Sequence, residues 1–478
     1  MLRFVQSDWL IRCVSAVCVV VLLAPVRCWP GFGEFTIRDE IDLARKFDLL
    51  IESRFPVVED RLIVNYVKGL VDRLVEAMPP QPFPVKVTVV RDGTMNAFAS
   101  AAGHITVFTG LITNLRSEDE LASVLAHELA HVSERHVAKS IEKSQLIGAG
   151  SLLGMLAGVL IGTQGDSDAS EALIMGSVAG GQAMALKYSR ANEEDADQLG
   201  LGFLVGAGFN PMGMTSAFER MRKLQWLGGG GAVPSYLATH PGMDERVGYM
   251  QERVARLPQD IRRRHTDNSA FTRVQALVLA WYADPNTALA TFSSKGKFPE
   301  CLASLGLAIA HSRLGQSEKA KMEFQQALAC NGRDPLWQRE YGRFSFEYGK
   351  LDVAAEALRT AVREVPDDLF ALFFYARALA EQGDFAASIT AMQRVLKDVP
   401  RDSEVLEHLG RYQAAAGRHF DAHVSFARAF AYTRKFRKYE YHLQRAESMA
   451  QSDSQHETID DLRDEIAEYR NILEGKAG

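Results

Sequence analysis

A chain of 478 residues is too long for one hydrophobic core and calls for two or three domains. With 47% hydrophobic and 24% charged residues, its composition is that of a globular protein rather than a disordered or fibrous one. A net charge of −6 without basic blocks argues against nucleic acid, and against an anionic membrane surface, as a partner.

At the N-terminus, Arg3 and Arg12 precede an apolar run from Cys13 to Val26. That run is short for a membrane span, which needs about 20 residues, and suits the core of a secretory signal. Residues 1–28 therefore read as a signal peptide, with Val26 and Cys28 at −3 and −1 of a poor cleavage site. An uncleaved anchor is the other reading. Three of the five cysteines, Cys13, Cys18 and Cys28, fall in or beside this segment, leaving Cys301 and Cys330.

Residues 38–78 read as helical, with Val67, Leu70, Val71 and Leu74 on one face and Pro79-Pro80 as the stop. Val85, Val87 and Val89 alternate as in a strand, and a second strand is expected over 103–112. A helix follows. Ser117 is its expected N-cap, and "SEDE" puts Glu120 in place for a capping box. Residues 146–162 and 173–186 are apolar and glycine-rich; a buried or interfacial helix and a true span are both open for the first. Further on, Gly315, Gly349, Gly383 and Gly417 recur every 34 residues between helical patterns, with Ala320, Ala354, Ser388 and Ala422 in phase. That period is the signature of tetratricopeptide repeats. A degenerate first repeat over 270–297 and charged capping helices over 436–478 complete the reading. Cys301 and Cys330 stand at the open end of one repeat hairpin, positioned either for a disulfide or as two buried thiols.

The chemistry concentrates in "ELASVLAHELAHVSERH", residues 120–136. His127 and His131 lie one helical turn apart and can face one ion, while Glu128 is rotated by about 100° and can hold a water beside it. Leu121, Val124, Leu125, Leu129 and Val132 form the packing face. A third histidine ligand in the metzincin pattern is excluded, because Glu134 and Val137 occupy its glycine and histidine positions. His136 falls about 180° around a continuous helix from His127 and is expected on the outer side. The candidate third ligand is downstream, in "KYSRANEEDADQLG". There Glu193 can reach the ion, and Asp197, one turn on, can bond a ligand imidazole. Glu194 and Asp195 point elsewhere.

The blocks "NAFASAAGHITVFTGLI", "LAHELAHVSERH", "SRANEEDADQLG", "GAGFNPMGM" and "THPGMDERV" resemble, in order, those of the HtpX-like and CAAX-prenyl-protease zinc metallopeptidases. Joined to an exported N-terminus and the repeats, they are similar to bacterial envelope proteases that act in outer-membrane protein quality control. The resemblance implies an α+β zincin of the gluzincin type over 35–262, mostly helical with a small sheet. An all-α tetratricopeptide-repeat solenoid would follow over 270–435. It implies one Zn2+ per chain on His127, His131 and Glu193, with Glu128 as general base and Asp197 and Arg246 behind the ligands. His240 would either plug the fourth zinc position or stabilise the oxyanion. The strand "GHITVFTG" would bind extended substrate by strand addition. The implied setting is the periplasm, with possible peripheral membrane contact. The implied partners are unfolded or misassembled outer-membrane proteins and, through the repeats, the barrel-assembly machinery. A chaperone or adaptor with silent proteolysis, and a membrane-integral quality-control protease, are the competing readings.

Overall fold

The computed structural model describes residues 35–144, 188–227, 236 and 239–473. The expected signal and the apolar segments 146–162 and 173–186 lie outside them. Among the described residues no helix is long and apolar enough to cross a membrane.

The expected helical stretch 38–78 is two helices, α1 (Ile37–Arg54) and α2 (Arg61–Val75). Pro56 divides them: Phe55 before it is extended, as a residue preceding proline prefers. Asp60 caps α2 by accepting the Leu62 N–H (3.0 Å), and Ile63, Val67, Leu70, Val71 and Leu74 form its buried face.

Among the described residues the sheet has three strands in the order β1 (Lys86–Val90), β3 (His104–Phe108), β2 (Ala97–Ala99). β1 runs parallel to β3 and β2 antiparallel to it. The expected second strand thus ends at Phe108. Residues Thr109–Asn114 form the short helix α3, which buries Leu111 and Ile112 and ends at buried, extended Leu115. Because β3 is paired on both sides, strand addition to it has no free backbone. That expectation is corrected: the edge strands are β1 and β2, and β2 packs against the motif helix. Its three residues, Ala-Phe-Ala, are too few to show an alternation.

The motif helix is α4 (Glu118–Ser133), and every residue from Glu118 to Val132 is buried. Ser117 caps it, accepting from the Glu120 N–H (3.2 Å). The returning arm of the capping box is displaced by one residue, since the Glu120 carboxylate accepts from the Arg116 N–H (2.7 Å) instead. The acids of the first turn, favourable at a helix N-terminus, are each partnered. Glu118 accepts from the Tyr66 hydroxyl (2.9 Å), Asp119 from the Asn210 N–H (2.8 Å) and Glu120 from Arg220 (3.2 Å). These bonds anchor the helix from three sides.

Among the described residues, α2, α5 (His136–Ser144), α6 (Arg190–Gly206) and α7 (Met212–Leu227) pack against α4, and α8 (Met243–Ala255) packs on α7. α6 crosses α4 where Gly200 meets the α4 backbone. A Cβ there would lie 3.1 Å from Ala126 C and O and from His127 Cα.

The repeats begin with a degenerate pair, α9 (Ser269–Tyr282) and Pro285–Phe292. Four hairpins follow: Glu300–Arg313 with Ser317–Asn331, Pro335–Glu347 with Leu351–Glu364, Leu369–Glu381 with Phe385–Asp398, and Ser403–Ala415 with His419–Tyr432. At each turn the phased glycine has a positive φ of 69° to 86°, which a side-chain-bearing residue adopts at a cost. Two helices, Phe436–Met449 and Asp453–Leu473, form the cap. Cys301 and Cys330 are joined as a disulfide, with Cα atoms 5.9 Å apart. One hydrophobic cluster runs unbroken from Val58 to Phe344, so the first repeats share a core with the sheet-bearing half.

Candidate metal centre

One turn of α4 brings the Nε2 atoms of His127 and His131 to 3.0 Å. From the first turn of α6, Glu193 sets Oε2 3.6 Å from His127 Nε2 and Oε1 3.5 Å from His131 Nε2. His240, just before α8, sets Nδ1 3.3 Å from His127 Nε2 and 3.0 Å from Glu193 Oε1. All four side chains are buried, and each offers a donor atom within 4.8 Å of the others. Four donors around a tetrahedral ion with bonds of about 2.0–2.1 Å stand about 3.3–3.4 Å apart. Three imidazoles and a carboxylate at this spacing fit a metal ion.

Two further observations agree with that fit. Glu128 Oε1 and His240 Nε2 are buried without a hydrogen-bond partner and lie 3.5 Å from each other. Polar atoms left so are costly in a protein interior unless the site binds something. Glu128 Oε2, by contrast, accepts the Ala99 N–H of β2 (2.9 Å). The edge strand therefore fixes this carboxylate and leaves its second oxygen facing the cluster.

Behind the ligands, Asp197 stands one turn after Glu193, and its Oδ1 is 2.9 Å from His127 Nδ1. Arg246 donates from Nε (2.8 Å) and Nη2 (2.7 Å) to Asp197 and from Nη1 to Glu193. Its guanidinium lies 4.7 Å from the Phe218 ring centroid. The Tyr249 hydroxyl also donates to Asp197. Glu194 and Asp195 point away to solvent.

Charge follows this wiring. Burial raises Glu128 above the ordinary carboxylate range, more than the nearby His240 and His127 lower it. For Glu193 burial acts upward too, but His240, His131 and Arg246 outweigh it and hold the carboxylate well below its usual range. Asp197 is held at about 2, burial being overcome by Arg246 and His127. Burial drives His131 well down, so its imidazole stays neutral, as a ligand must be.

Every site residue expected from the sequence meets in this one place: His127, His131, Glu193, Glu128, His240, Asp197 and Arg246. Three neighbours were not foreseen. Tyr188 stacks on His131 with centroids 3.8 Å apart, and Tyr236 stacks on His240 at 4.3 Å. Tyr188 stood in the quoted acidic block without a sign of its role, and nothing in the sequence marked Tyr236. The third is a correction. His136 is buried beside His131, Nδ1 to Nδ1 at 2.8 Å, and not on the outer side. The expectation assumed a continuous helix, but α4 ends at Ser133, Arg135 adopts a left-handed φ of 50°, and α5 starts afresh at His136.

Comparisons with known proteins agree with this geometry. Residues 64–254 match Peptidase family M48. Residues 302–368 match YpiA-like C-terminal tetratricopeptide repeats, and 345–412 match a tetratricopeptide repeat. A putative beta-barrel assembly-enhancing protease of Vibrio cholerae is 29% identical over 84% of each chain. The beta-barrel assembly-enhancing protease of Yersinia pestis is 26% identical, over 76% of this chain and 74% of its own. Mitochondrial metalloendopeptidase OMA1 of Arabidopsis thaliana is 35% identical over 34% of this chain and 30% of its own.

Proposed function

We propose that this chain, a metallopeptidase that joins an M48 domain to tetratricopeptide repeats, is a zinc-dependent endopeptidase of the periplasm. In this reading it removes misassembled outer-membrane barrel proteins and assists their assembly through its repeats. The names of the Vibrio and Yersinia relatives support the assembly role. The chemistry rests on one observation: Glu128, tied to β2 through one oxygen, turns the other toward four buried metal donors.

His127, His131 and Glu193 would hold the zinc, with Asp197 and Arg246 keeping His127 and Glu193 in register. Bound there, zinc supplies a Lewis acid and lowers the pKa of a water to about 7. Glu128 would take a proton from the water that attacks the scissile carbonyl and deliver it to the leaving amine nitrogen. His240 Nδ1 faces the same centre and acts as a plug, keeping the peptidase latent until substrate displaces it.

The test follows an unassembled outer-membrane barrel protein in cells carrying wild type or Glu128→Gln. The expected result is loss of its turnover in the variant at unchanged protein level. Turnover that persists undiminished removes the peptidase reading. Full support of barrel assembly by the variant would assign the main role to the repeats.

A further inference from the structure

We infer that His136 is a positioning residue of the metal centre: its Nδ1 accepts the Nδ1–H of His131 and so aims the His131 Nε2 lone pair at the ligand cluster. The inference rests on the metal reading above and adds a residue outside its ligand set.

His131 has two ring nitrogens and two different neighbourhoods. Nε2 lies 3.0 Å from His127 Nε2 and 3.5 Å from Glu193 Oε1, among the donors. Nδ1 lies 2.8 Å from His136 Nδ1, on the far side of the ring. A neutral imidazole carries one N–H. If Nε2 is to offer its lone pair to an ion, the hydrogen sits on Nδ1, and a buried N–H needs an acceptor. His136 Nδ1 is that acceptor, which fixes His136 with its own hydrogen on Nε2. Tyr188, stacked on His131 at 3.8 Å, holds the ring plane but has no role along the ring edge. The in-plane direction in which the ring points Nε2 therefore falls to His136.

The two ligand histidines are thus held by unlike partners. His127 Nδ1 faces the Asp197 carboxylate at 2.9 Å, an anion reinforced by Arg246. His131 faces a neutral ring. A carboxylate acceptor raises the basicity of its imidazole more than a neutral one does. His127 is accordingly the stronger donor, and His131 the more easily lost.

A break in the chain makes this contact possible. On an unbroken helix His136 would sit about 140° around from His131 and could not reach its Nδ1. Arg135, at φ 50°, folds the chain back, and it is pinned there from outside the motif. Its Nε donates to Glu40 of α1 (2.6 Å) and its Nη2 to the Phe35 carbonyl (3.2 Å). Glu40 is itself buried. Glu40 and Phe35 thus secure Arg135, whose turn brings His136 against His131, a metal ligand 91 positions after Glu40.

The experiment uses purified full-length wild type, His136→Asn and His136→Phe, each stripped of metal and titrated with Zn2+ against a chromophoric chelator. Asn keeps an acceptor oxygen near the place of Nδ1; Phe keeps the volume without one. The Phe variant should bind Zn2+ about 10–100-fold more weakly, with the Asn variant restored close to wild type. His136→Ala replaces the Phe variant should that one not fold. Phe binding as tightly as wild type overturns the inference, and so does Asn binding as weakly as Phe. A wild type that binds no Zn2+ fails at the prior step and overturns the metal reading itself.

Discussion

At the scale of single residues, His240 is the group that contacts most of the site. It is fully buried and contacts both Glu193 and His127 through Nδ1, while Nε2 faces Glu128. A plug in that position competes with substrate. His240→Ala should raise basal hydrolysis of an unfolded protein by about tenfold, the effect of removing a competing contact worth about 1.4 kcal/mol. Hydrolysis of casein by purified protein measures this, and a fall in rate would instead favour the oxyanion role. The residues of the site divide by how their positions were readable. His127, His131, Glu193 and Asp197 were legible because spacing on a helix converts directly into facing. His136 was not, because a non-glycine left-handed residue, Arg135, ends α4 without a sequence mark.

At the scale of elements, the site depends on how closely α6 approaches α4. Gly200 permits that approach, its missing Cβ standing 3.1 Å from the backbone of Ala126 and His127. Gly200→Ala would push α6 outward and carry Glu193 and Asp197 with it. The expected outcome is a destabilisation of about 1–3 kcal/mol from overpacking together with weakened zinc binding. Thermal melts with and without zinc check both; unchanged affinity would show that the helices adjust without moving the carboxylates. The repeat elements were the most legible part of the fold, since Gly315, Gly349, Gly383 and Gly417 each occupy the positive-φ turn that their spacing implied. The sheet was half legible. β1 alternates, but β2 is three residues long and β3 runs directly into α3, so neither the central place of β3 nor the edge place of β2 could be read.

At the scale of the molecule, the repeats are built onto the peptidase half rather than trailing from it. Arg339, fully buried in the second hairpin, bonds Asp60 (2.8 and 3.1 Å), Asp368 (3.1 Å) and Glu340 (2.8 Å). Asp60 caps α2, and Asp368 caps the first helix of the next hairpin. One guanidinium therefore ties two helix starts to its own helix across the junction. Removing it strands buried carboxylates, so Arg339→Ala should cost about 3–5 kcal/mol and split a shared calorimetric transition into two. A single transition at the wild-type midpoint would contradict that coupling. The disulfide between Cys301 and Cys330 closes a loop of 29 residues' separation in the hairpin before it. Its removal by paired serine substitution should lower stability by about 3–4 kcal/mol in the chain-entropy picture, measurable by denaturant titration; an unchanged midpoint would show that the shared core alone holds this hairpin. This continuity of core and charge across residues 262–270 was invisible in the sequence, where the composition changes but long-range contacts leave no local trace.

The account as a whole stands on the metal. Elemental analysis of the purified wild type, Glu128→Gln and Glu193→Gln proteins tests it most directly. One zinc per chain is predicted for wild type and for Glu128→Gln, which lacks only the base, with a large loss in Glu193→Gln, which lacks a ligand. A wild type without stoichiometric transition metal, or a Glu193→Gln protein that retains its full complement, would contradict it.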